Sequence, residues 1–148
     1  MGPPAWTIRR SRPDERERLH DIWAGAVRAT HGFLAEEDFH FYSALVRDEM
    51  LPAGSFWVAA DGDDRAVAWM DLQGDKLEAL FVDPACHRRG AGKALMAHAA
   101  RLSPVIELHA NEQSGAVEYY RRLGFEEVSR SEVDGAGRPY PLVTMRKG

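Results

Sequence analysis

The chain has 148 residues, a length that predicts one domain spanning 1–148. Hydrophobic residues make up 45% and charged residues 28%, enough to bury a core without staples. A single cysteine, Cys86, excludes a disulfide framework and a cysteine zinc site. The 19 Lys and Arg against 23 Asp and Glu leave a net charge of −4, which argues against a general nucleic-acid binder. No apolar run approaches the roughly 18 residues of a membrane span, and Met1–Trp6 lacks the apolar core of a secretory leader. A soluble cytoplasmic protein without a membrane partner is expected.

Trp6–Arg10 reads as a short strand. Pro13, Asp14 and Glu15 then open a helix, where a fixed φ and negative charge are both favoured. Leu19, Ile22, Trp23, Ala26 and Val27 give that helix one apolar face. A second helix is predicted over 36–50, with Phe39, Tyr42, Leu45, Val46 and Met50 as its stripe. The link between the two, Ala29–Leu34, is unusually apolar for a loop. Pro52–Ser55 breaks the pattern. Phe56–Ala60 and Ala66–Leu72 form a hairpin about the Asp61–Asp64 turn. Leu77–Val82 is a third strand, nearly all apolar, which predicts burial on both faces. A helix with Leu95, Met96, Ala99 and Leu102 on one side ends at Pro104. A strand follows at 105–110, then a helix at 116–123 closed by Gly124. Two last strands, 125–133 and 140–146, flank the turn Asp134–Gly137. The order β-α-α-β-β-β-α-β-α-β-β describes a mixed α/β domain with antiparallel hairpins at both ends and one crossover in the middle.

The stretch from Val82 to Leu95 carries the most chemistry. It is a strand, then a loop holding His87, Arg88, Arg89, Gly90, Ala91, Gly92 and Lys93, then a helix start. Amides at a helix start point outward and carry partial positive charge. Glycines allow close approach, and the three cations add attraction. A phosphate or pyrophosphate is the natural ligand. A Walker loop would need glycine at His87 and Ser or Thr at Ala94, and a dinucleotide fingerprint would need a small residue at Leu95; both fail. A plain helix cap with a solvated basic face fits the loop alone equally well.

The next strand ends in Asn111, and then comes Ala116-Val117-Glu118-Tyr119-Tyr120-Arg121-Arg122-Leu123-Gly124-Phe125. With the glycine loop, this resembles the GNAT superfamily of N-acetyltransferases that use acetyl-coenzyme A. Gly90 and Gly92 match the glycines of its loop, and Ala116, Tyr119, Tyr120, Gly124 and Phe125 match its second motif in register. The resemblance is strongest over 76–125. Ile22-Trp23, the run Ala29-Thr30-His31 with Phe33-Leu34, and the tail from Arg130 to Leu142 are similar to the bacterial YjaB-type branch. Two positions depart from the family: His87 stands where it has Gln or Arg, and Gln113 where it has a second Asn.

The resemblance implies a single domain with a mixed, mostly antiparallel sheet of about seven strands and about four helices, its two central parallel strands splayed apart. Acetyl-coenzyme A would be the co-substrate, with no metal. Its pantetheine arm would bond the backbone of Leu80, Phe81 and Val82 like an extra strand. Its pyrophosphate would sit on residues 87–93, with Asn111, Ala116 and Tyr119 adding contacts. Tyr120, which also fits a plain core position, would meet the leaving sulfur. Glu78, by alternation on the face of Leu80 and Val82, would be the general base; His109 is its rival. His31 and Phe33 would line the acceptor pocket. The acceptor would be an amine on a small molecule or a peptide. A non-catalytic acetyl-coenzyme A-binding sensor is the alternative, and a homodimer is left open.

Overall fold

The computed structural model describes residues 6–148; residues 1–5, part of the stretch read for a leader, lie outside the described residues. Seven strands, β1 (Thr7–Arg10), β2 (Trp57–Ala60), β3 (Ala66–Gln73), β4 (Lys76–Val82), β5 (Ile106–Asn111), β6 (Glu126–Ser131) and β7 (Leu142–Lys147), form one sheet in the order β1-β2-β3-β4-β5-β7-β6. Every neighbouring pair is antiparallel except β4–β5. The helices are α1 (Arg16–Thr30), α2 (Glu36–Leu45), α3 (Ala91–Leu102) and α4 (Ala116–Arg122). This is the mixed α/β architecture expected from the sequence. No helix among the described residues is long and apolar enough to cross a membrane.

The apolar residues divide by face. Met70, Leu77, Leu95, Leu108 and Met145 join one core beneath α3 and α4. Leu19, Ile22, Trp23, Phe39 and Trp69 join a second beneath α1 and α2. Trp69 is fully buried there, and its indole N–H donates to the Leu19 carbonyl at 3.0 Å, so the polar end of the ring is satisfied. The stripe read for α1 is the buried stripe observed.

Two local departures have backbone causes. The second helix does not stop at Met50: a wide π-type turn, Val46–Met50, leads into a last turn, Leu51–Ala53. Pro52 has no N–H to continue the ladder, and its ring crowds the carbonyl one turn back. Leu51 instead donates to the Val46 carbonyl five residues earlier. The second departure is in β4. Only Lys76 and Leu77 pair with β5, against Glu107 and Leu108. Beyond them the two strands diverge, so Leu80, Phe81 and Val82 are half-exposed rather than buried on both faces. Their apolar character belongs to the walls of a gap.

Candidate active site

The gap between β4 and β5 opens into two cavities, of about 560 and about 350 Å³. The larger runs from the gap to the loop before α3 and is lined by Val82, Cys86, His87, Arg88, Gly90, Ala91, Gly92, Lys93 and Tyr119. The smaller lies toward α1, α2 and the β6–β7 loop; Trp23, Val27, Tyr42, Glu78, His109, Asn111, Asp134 and Tyr140 contribute to its wall. His31, Leu80, Phe81, Ser114, Ala116 and Tyr120 line both and mark the junction.

The β4 edge is primed for hydrogen bonds. Asp83 N–H donates to the Val67 carbonyl at 2.8 Å, which sets the phase of the β3–β4 ladder. By alternation, Leu80 and Val82 turn their N–H and C=O groups away from β3 and into the gap. After β4, Asp83 caps a short turn through Ala85 N–H at 3.0 Å and pairs with Arg18 at 2.7 Å. The pairing with Arg18 and the amide bond outweigh burial and lower the Asp83 pKa. Arg88 then takes φ +64° and Gly90 φ +89°, a turn that an L side chain adopts at a cost of about 1–2 kcal/mol. The first hydrogen bond of α3 runs from Ala94 to Gly90 at 2.9 Å, so the amides of Ala91, Gly92 and Lys93 have no helical acceptor. Gly92 packs closely: a Cβ there would stand 3.2 Å from Val82 Cγ2, tighter than ordinary contact.

Tyr120 is 9% exposed, in the core with Phe125 and at the junction of both cavities. Burial, reinforced by neighbouring Tyr119, pushes its hydroxyl well above the ordinary tyrosine range, so it remains a hydrogen-bond donor. Burial likewise raises Tyr119, which lines the larger cavity only.

Several residues do not stand where the sequence placed them. Glu78 has no partner on β3: the register passes from Asp71↔Ala79 to Leu72↔Leu77, leaving Glu78 as the extra residue of a bulge. Alternation fails across it, and Glu78 faces the smaller cavity with Ala79 instead of the α3 side with Val82. Phe33 lines neither cavity; it packs behind His31, at 5.2 Å between ring centroids, and against Tyr140 at 5.9 Å. Asn111 lines the smaller cavity, not the larger, and its Oδ1 accepts from Gln113 N–H at 2.8 Å, an ordinary Asx turn. Arg89 lies outside both cavities, and its carbonyl accepts from the Trp6 indole at 3.0 Å. His109 does line the smaller cavity, with Nδ1 2.8 Å from Thr144 Oγ1.

The family profile described as an acetyltransferase (GNAT) domain matches residues 27–147. The chain belongs to the GNAT acetyltransferase family. It is 43% identical over 139 residues, 93% of this chain and 95% of the relative, to peptidyl-lysine N-acetyltransferase YjaB of Salmonella typhimurium. It also resembles the solution structure of apo YjaB from Escherichia coli, with a TM-score of 0.91, 41% identity, and coverage of 96% of this chain and 97% of that one. PaiA N-acetyltransferase from Thermoplasma acidophilum, solved in complex with coenzyme A, shares the fold at a TM-score of 0.75 and 18% identity, with 97% and 98% coverage.

In this GNAT acetyltransferase the wall of the smaller cavity includes residues that spacing and motif did not reveal. Tyr42 of α2 donates to Asp134, and Tyr140 donates to Asp38, one turn before Tyr42 on the same helix. Asp134 also accepts from the amides of Ala136 and Arg138, both at 2.9 Å. Asp38 and Tyr42 share a helix face at i and i+4, a visible signal, but their partners lie about 100 residues away and carry none.

Proposed function

We propose that this enzyme transfers the acetyl group of acetyl-coenzyme A to the side-chain amine of a lysine in a peptide or protein. The observation that carries the reading is the unpaired edge of β4, in a gap that runs from the first amides of α3 to Tyr120 and opens there onto a second cavity. A pantetheine chain carries amides that match an open strand edge. A pyrophosphate matches the free amides of Ala91 to Lys93 beside Arg88 and Lys93. The residues present therefore fit the co-substrate, which supplies a thioester-activated acetyl group.

The chain's own groups do the rest. Leu80 and Val82 orient the donor, and their amides polarise the acetyl carbonyl. Tyr120 donates a hydrogen bond to the sulfur as charge develops on it. On the acceptor side, Val27, Leu34 and Met50 suit the aliphatic stem of a lysine, and Glu78 offers negative charge to its ammonium. The YjaB relatives, which bear the name peptidyl-lysine N-acetyltransferase, support this acceptor class. The test follows free thiol release with acetyl-coenzyme A and a panel of lysine peptides, free lysine and small amines. Turnover with peptides is expected. Turnover only with small amines overturns the acceptor, and a thermal shift with acetyl-coenzyme A but no turnover with any amine favours a sensor.

A further inference from the structure

Thr30 and His31 close α1 with a hydrogen-bond chain that fixes a tautomer. The Thr30 hydroxyl lies 2.8 Å from the Ala26 carbonyl, which can only accept, so the hydroxyl spends its single proton there. The same Oγ1 lies 2.7 Å from His31 Nδ1. With its proton committed, Oγ1 accepts, and Nδ1 must be the nitrogen that carries hydrogen. His31 Nε2 is then a bare lone pair, with no hydrogen-bond partner among the described residues. The ring is held in place by Phe33, which packs on Tyr140, whose hydroxyl bonds Asp38.

Position gives that lone pair a use. Of the six residues that line both cavities, only His31 and Tyr120 titrate. Glu78 and His109 line the acceptor cavity alone. We infer that His31 Nε2 is the general base of the acetyl transfer, opposite Tyr120 as the donor to sulfur. This rests on the reading proposed above.

The step balances as follows. The neutral amine nitrogen forms a bond to the acetyl carbon, the C–S bond breaks, and its electron pair goes to sulfur, which leaves as a thiolate held by the hydrogen bond that the Tyr120 hydroxyl donates. The surplus proton on the acceptor nitrogen goes to His31 Nε2. Solvent then carries that proton from the imidazolium to the released thiolate. A free lysine ammonium, with a reference pKa near 10.4, is too weak an acid for an imidazole to strip efficiently. An ammonium bonded to the carbon of the tetrahedral adduct is far more acidic, and it is the better donor to His31.

Burial holds the imidazole below its ordinary value, so it is unprotonated at neutral pH. From the larger cavity His87, Arg88, Lys93 and Tyr119 face the same space. From the smaller come Tyr42, Glu78, His109, Asp134 and Tyr140. On its own element, Arg28 is paired with Glu36 at 2.6 Å and adds little net charge.

Two measurements test the assignment. In free protein labelled with ¹⁵N-histidine, long-range ¹H–¹⁵N correlation at pH 7.5 should show His31 protonated on Nδ1; protonation on Nε2 overturns the proposal. In steady-state kinetics with acetyl-coenzyme A and a lysine peptide, His31→Gln should lower kcat about 100-fold or more. Its acetyl-coenzyme A Kd should stay unchanged, and the inflection of kcat/KM below the ordinary histidine value should disappear, leaving the limb set by the substrate amine. Added imidazole should restore part of the rate to His31→Ala, a rescue that a structural role does not give. An active parent with an unaffected His31→Gln, or a His31→Ala that imidazole leaves inert, sinks the base alone. A parent inactive on every lysine peptide sinks the acceptor reading and the base with it.

Discussion

The Tyr42 hydroxyl donates a hydrogen bond to Asp134 across 92 positions of sequence, and that bond ties the second helix to the loop between the last two strands. Tyr140 returns a bond to Asp38, while the Arg138 guanidinium lies 3.9 Å above the Phe41 ring. The two Tyr–Asp bonds run in opposite directions between the same two elements, so the width of the acceptor cavity is fixed from both sides. The Asp134 bond and burial push Tyr42 well above the ordinary tyrosine range, with burial the larger cause, and the clasp therefore survives alkaline pH. Tyr42→Phe with Tyr140→Phe should raise the acceptor KM and leave the acetyl-coenzyme A Kd alone. Each loss should cost about 1 kcal/mol or more of stability, since bonds to charged groups are worth about 1.5–3 kcal/mol. Urea melts and steady-state kinetics check both parts.

Tyr120→Phe keeps the ring and removes the hydroxyl. Turnover should fall about 10- to 1,000-fold while coenzyme affinity holds. Because the Tyr120 pKa is raised, its ionisation lies above the ordinary value of about 10. The parent kcat should therefore show no Tyr120-dependent decline as pH rises from 8 to 9.5. A fall in that range that Tyr120→Phe abolishes would contradict the burial argument.

Gly90 sits at φ +89°, where a Cβ is strained whatever the space around it. Gly90→Ala should cost about 1 kcal/mol. It should also shrink the thermal shift given by acetyl-coenzyme A, since the loop amides would no longer present together. Gly32→Ala, where nothing lies within 4 Å of the added carbon, is the control and should change neither reading.

Asp71 is a buried carboxylate, 8% exposed, whose near polar company is Gln73 Nε2 at 3.2 Å. Burial raises its pKa, and Glu78 adds to the rise. A folded-state pKa above the unfolded value means the folded chain holds its proton longer. Stability is then lost as pH rises from the unfolded value of about 3.9 through the folded one. Asp71→Asn should remove that loss. The variant should gain stability relative to the parent as pH rises across this window and keep the gain at neutral pH, as read by melts at pH 4, 5.5 and 7.

Much of this molecule was legible in its residues. The α1 stripe, the β4–β5 crossover and the glycine loop are local or periodic signals, and the structure places them as read. Glu78 was misplaced because a bulge inserts one residue against β3, and no side-chain pattern announces it. Phe33 is placed in the pocket beside His31 by the resemblance, whereas in space it packs on Tyr140, which lies far along the chain. Asn111 is expected to meet the co-substrate, yet its side chain closes its own turn, a role the same residue type fills at any strand end. The reading of His31 needed Thr30 and Ala26 in space, since a tautomer follows from who donates to whom.

The divergence of β4 from β5 also bears on how the empty protein survives. An exposed strand edge is ordinarily an invitation to other chains, and proteins blunt theirs with charge, bulges or cover. Here the open edge lies in the middle of the sheet, behind Tyr120 and under the apolar link after α1, where a second sheet cannot dock. A slender molecule can slide in endways, yet a strand from a neighbouring chain meets the flanking helices first. The amides of Leu80 and Val82 are therefore free to exchange with solvent hydrogen without offering a seed for aggregation, and a bound ligand would slow that exchange at those two positions more than anywhere else in the strand.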